Sequence, residues 1–134
     1  MRDHQARGLG VVAAAAVALC TASGATAQPV LEVASSCPDA GSVVVSWSGA
    51  SPRSQIALLW AGNRGTFIIP SIHACAGTQT GLGRGGIQAV HVGPSGSNGS
   101  GTLFRYSGPN ACGGFLQLID LATCELSDVE PFDQ

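Results

Sequence analysis

The chain has 134 residues, of which 45% are hydrophobic, 10% charged and 5% aromatic, and none is lysine. Six arginines stand against eight acids for a net charge of −2, which excludes the basic footprint of a nucleic-acid-binding protein. The apolar content is too high for a disordered chain, the length suits one domain, and 19 glycines with 7 prolines favour short strands joined by turns.

The N-terminus reads as an address. Arg2 and Arg7 precede an apolar run over residues 9–20, and Ala25-Thr26-Ala27 follows as a small-x-small motif. That is the pattern of a cleaved secretory signal peptide over residues 1–27. The run is about 12 residues long where a membrane span needs about 20, so a signal anchor fits less well. Lipid attachment at Cys20 is disfavoured by Leu19 directly before it. The remaining residues 28–134 hold four arginines and seven acids, and no transmembrane segment is expected in them. Three of those acids lie in the last seven residues, so the tail from Asp128 is expected to be solvated and frayed.

Residues 42–48 (SVVVSWS) alternate, with Val43, Val45 and Trp47 on one face. Residues 49–53 form a turn, and the continuous apolar run 55–61 (QIALLWA) suits a strand buried on both faces. Gly62-Asn63-Arg64-Gly65 predicts a tight hairpin into a strand over 66–69, which Pro70 stops. Residues 74–86 read as a loop or irregular edge, residues 87–92 (IQAVHV) as an alternating strand, and the glycine-serine stretch 93–101 as a flexible connection. Strands over 102–107 (TLFRYS) and 115–123 (FLQLIDLAT) complete the pattern. About seven strands with frequent turn signals predict an all-β fold, an antiparallel immunoglobulin-like β-sandwich. Its expected core comprises Val43, Val45, Trp47, Ile56, Leu58 and Trp60 from the first half of the chain. Phe67, Ile69, Val90, Leu103, Phe115 or Leu116, and Leu118 are expected to join them.

Loss of the leader removes Cys20 and leaves Cys37, Cys75, Cys112 and Cys124, an even number that predicts two disulfides in an exported protein. Three pairings are possible. Cys112 and Cys124 flank the last long strand, which favours Cys112–Cys124 together with Cys37–Cys75. A four-thiolate zinc site would need close CxxC pairs, and the chain has none.

An ordered series of short motifs runs through the same region. Cys37-Pro38, Ser48-Gly49-Ala50-Ser51-Pro52, Ala57-Leu58-Leu59 and Cys75-Ala76-Gly77-Thr78 come first, followed by Gly81-Leu82. Ala111-Cys112-Gly113-Gly114, Leu116-Gln117 and Asp120-Leu121-Ala122-Thr123-Cys124 close the series. Over residues 37–129 the chain resembles a secreted, disulfide-bonded β-sandwich module of unknown function, found in exported proteins of environmental bacteria. The resemblance implies a fold and disulfides, without an activity or catalytic residues. Related copies often end in Ser-Asn-Val where this chain has Ser127-Asp128-Val129, and Arg84 and Arg105 are not part of the pattern.

Few residues suggest chemistry. His73 and His91 would form a metal pair, or a hydrolase triad with Asp120 and a serine, only if folding brought them together. Neither an H-E-x-x-H motif nor a G-x-S-x-G elbow is present. The alternation places His91 on the Ile87/Ala89 face. Gly81-Leu82-Gly83-Arg84-Gly85-Gly86 has the glycine density of an anion cradle, but a strand pattern follows it where a phosphate loop needs a helix. Asn98-Gly99-Ser100 matches a glycosylation acceptor. Asp120 lies within an apolar strand and needs a partner if buried, either Arg105 or a turn amide, with a calcium ion the remoter choice. Phe104, Arg105 and Tyr106 form the one stretch nominated for ligand contact.

These observations lead to the expectation of a secreted or cell-surface protein that is not an enzyme and needs no cofactor. It would act in a structural or binding role toward another extracellular protein or a glycan, using its edge strands for main-chain pairing. A carbohydrate-binding module is the first alternative. A small secreted hydrolase or an enzyme inhibitor is the second.

Overall fold

The computed structural model describes residues 28–84, 86–106, 108 and 112–132. The proposed leader over residues 1–27 lies outside the described residues, as do the last two positions of the acidic tail. Nine strands are present among the described residues, and all paired neighbours are antiparallel. They are β1 (Val30–Ser35), β2 (Ser42–Ser48), β3 (Gln55–Ala61), β4 (Arg64–Ile68), β5 (Gln79–Leu82), β6 (Gln88–Pro94), β7 (Gly101–Tyr106), β8 (Phe115–Asp120) and β9 (Glu130–Pro131). One sheet has the order β1-β2-β7, a second β6-β3-β8-β9, and β4-β5 form a separate ribbon.

The two larger sheets enclose the core. Alternation in the first turns Leu31, Val43, Val45 and Trp47 inward, and the second supplies Ile56, Leu58, Leu116 and Leu118. Trp60, Val90 and Leu103 pack against this cluster while only partly buried. Each indole N–H finds a carbonyl: Trp47 Nε1 donates to Ser95 O at 2.9 Å and Trp60 Nε1 to Gly113 O at 3.0 Å. Two glycines make room for the rings. Trp47 lies across Gly101, its partner on β7, and Gly114, at φ 86°, would bring a side chain within 2.6 Å of Trp60 Cε2.

The second sheet is covered on its outer face as well, which is why β3 reads as a continuous apolar run and β8 as an apolar strand interrupted by Gln117. The β4-β5 ribbon lies there, and its own Thr80 and Leu82, on β5, are buried. Gln117, itself buried, accepts a hydrogen bond from Gly81 N at 3.0 Å and donates one to Ser127 O at 2.8 Å, tying the ribbon and the tail to β8.

Several sequence expectations change here. The Gly62–Gly65 turn does not return the chain beside β3; it carries β4 out of the sheet, and β3 pairs instead with β6 and β8. The segment read as a loop contains β5. Phe67 and Ile69 therefore leave the central core and lie on the other side of the second sheet. The acidic tail is docked through Phe132, whose ring is buried and whose backbone N–H donates to Gly114 O at 2.9 Å. The Gly93–Gly101 stretch is tied down at Ser95, which is fully buried.

The disulfides are Cys37–Cys112 and Cys75–Cys124, not the favoured Cys112–Cys124 and Cys37–Cys75. The glycines after Cys112 do not fold the chain back toward Cys124, because β8 runs the full length of the sheet between them. One bridge joins the β1–β2 loop to the segment before β8. The other fastens the segment after β4 to the turn beyond β8. Two disulfides fit an oxidising compartment.

Candidate functional site

The strand period of two separates the nominated contact residues. In the first sheet Val44 pairs with Phe104, Ser42 with Tyr106 and Val43 with Arg105. Phe104 and Tyr106 therefore share the outer face with Val44, while Arg105 joins Val43 on the inner face. The two rings are 63% and 67% exposed. Ser46 and Thr102 pair next to them, and Glu32 pairs with Ser46 from β1, so hydroxyls and a carboxylate border the aromatic side chains. The Arg105 guanidinium donates to Val90 O at 2.7 Å and links the first sheet to β6 of the second. It holds the sheets together and does not reach the face that carries the rings.

The histidines do not meet. The register of β3 with β6 places Leu58 opposite His91 and Leu59 opposite Ala89, leaving Val90 as the extra residue of a bulge. The bulge breaks the alternation read from the sequence and moves His91 off the Ile87/Ala89 face onto the side of Leu58. His73 lies on the other side of that sheet, exposed at the rim of an apolar cleft. Among the described residues no group of three or more His, Cys, Asp or Glu is placed to hold a metal ion. Arg84 is exposed in a turn, and the preceding Leu82 is buried in β5.

Asp120 takes turn amides as its partners. Its Oδ2 accepts from Ser51 N at 2.7 Å and Ser51 Oγ at 2.8 Å, and its Oδ1 accepts from Ala122 N at 2.9 Å. Burial pushes the carboxyl upward, but the hydrogen bonds from Ser51, Ala122 and Thr123 outweigh it and hold the group below its ordinary value. Ser95 extends the same brace: its Oγ donates to Ser51 O at 2.5 Å and accepts from Ser54 N at 3.0 Å. Ser51 is bonded to Asp120 with no histidine between them, so the cluster closes one end of the sandwich. Gln117 and Ser127, which sequence reasoning did not single out, anchor the ribbon and the tail in the same way. The signal available was Gln117 as a polar position inside an otherwise apolar strand.

Compared with protein-family models, curated proteins and solved structures, the chain matches none. The site is therefore read from its own geometry. Among the described residues no helix is long and apolar enough to cross a membrane.

Proposed function

We propose that this protein is an exported, non-enzymatic binding module of bacterial origin. It carries an immunoglobulin-like two-sheet scaffold and uses the outer face of the β1-β2-β7 sheet as its contact surface. The carrying observation is the pair of exposed rings, Phe104 and Tyr106, on one face of an edge strand beside Val44. Two aromatic side chains left in water forgo about 1.5–3 kcal/mol each of burial, which a binding partner would recover. Their polar border supports a ligand with apolar and hydroxylated faces, and a carbohydrate has both. The two disulfides, the leader-like N-terminus and the resemblance to exported bacterial modules support placement outside the cell.

A glycan array and titration calorimetry with the folded protein test this reading. Simultaneous Phe104→Ala and Tyr106→Ala substitution is expected to weaken a glycan ligand by about 1–3 kcal/mol, since ring stacking supplies energies of that order. Arg105→Ala is expected to leave glycan affinity unchanged while lowering stability, because that side chain faces inward. A folded protein that binds no glycan, or a glycan bound equally by the double variant, would overturn the carbohydrate reading.

A further inference from the structure

On the opposite side of the molecule the β4-β5 ribbon leaves part of the second sheet uncovered. The gap is a half-open cleft of about 400 Å³. Its floor is the outer face of β3 and β8, with Ala57, Leu59 and Ile119, and Ala89 and Val92 continue it on β6. Phe67 and Ile69 form the facing wall. The lining is apolar except for His73 and Gln88, both exposed.

Two anchors keep the wall in place. Cys75–Cys124 fastens the segment after β4 to the turn beyond β8, and Gln117 fastens β5 to the middle of β8. Between them the floor carries alanine at positions 57 and 89, side chains too short to fill the space. The volume falls within the range of small-molecule sites, about 300–1,000 Å³, and so does the composition: an apolar lining with a few polar groups. We propose that this cleft binds a small amphiphile, an alkyl chain of medium length with one polar end. The chain would lie against Leu59 and Val92, and the polar end would be within reach of the imidazole of His73 or the carboxamide of Gln88. The site shares no residue with the aromatic face, so either proposal can fail without the other.

The test uses the oxidised protein, the uncharged fluorophore N-phenyl-1-naphthylamine as reporter and dodecanoate as competitor. Saturable one-to-one fluorescence enhancement, reversed by dodecanoate, is expected. Ala89→Phe and, separately, Val92→Phe place a ring in the cleft from exposed positions on β6 and are expected to weaken both ligands by about tenfold or more. Asp39→Asn, in the β1–β2 loop, serves as the control and is expected to bind like the parent. Circular dichroism and tryptophan emission identify which variants are folded, and two independent fillers guard against the loss of one. Absence of saturable binding by the parent protein, or parental affinity in a folded filler variant, would overturn the proposal.

Discussion

Asp120 shows how a buried charge is kept in a sandwich of this size. The carboxylate is 2% exposed, yet each oxygen receives at least one N–H or O–H donor from the turns around it. Asp120→Ala would leave the Ser51 and Ala122 amides without that acceptor and is expected to cost about 2–4 kcal/mol in urea unfolding. The lowered value in the fold sets the pH dependence. In the unfolded chain the group titrates near 3.8, so its contribution is complete above that pH and is lost as the pH falls through the lower folded value. The parent protein is therefore expected to lose stability below about pH 4. Asp120→Asn should lose part of that acid slope, measurable as the urea midpoint against pH. The need for a partner was legible in the sequence, because an acid in an apolar strand requires one. The choice of Ser51, 69 positions away, was not.

At the scale of elements, β2 and β3 match their sequence patterns residue for residue, because alternation and apolar runs report directly on burial. Three strands are not read from the sequence: β1 is passed over although Leu31 and Val33 alternate toward the core, and the other two have weak patterns of their own. β5 has a glycine in four residues and becomes a strand by pairing with β4 and hydrogen-bonding to Gln117. β9 is two residues long and exists because Phe132 finds a place in the core. Gln117→Leu is expected to keep the sandwich but release the ribbon, through loss of the bond to Gly81. Hydrogen exchange at the β5 amides should then accelerate by about 10-fold or more while β2 and β3 amides stay protected. Equal acceleration in all strands would show that the ribbon does not open as a separate unit. The bulge at Val90 belongs to the same scale. One inserted residue reverses the face of His91, and nothing in the local alternation announces it.

For the molecule as a whole, the two bridges join segments 75 and 49 positions apart and so restrict the unfolded chain strongly. Replacing either pair by serine is expected to lower stability by about 2–5 kcal/mol. The Cys75–Cys124 deletion should also loosen the ribbon, whereas the Cys37–Cys112 deletion should act at the opposite end of the sandwich. Non-reducing peptide mapping checks the connectivity directly, since the expected pairing and the observed one yield different linked fragments. The all-β class, the two-faced burial of β3 and the presence of paired cysteines follow from the amino-acid order itself, because strand period, turn residues and an even count of cysteines beyond residue 27 are local or compositional properties. The disulfide partners, the docking of the tail, the ribbon behind the second sheet and the separation of Arg105 from Phe104 and Tyr106 were decided only by the assembled fold. Each depends on which distant segments lie side by side, and no window along the chain contains both partners.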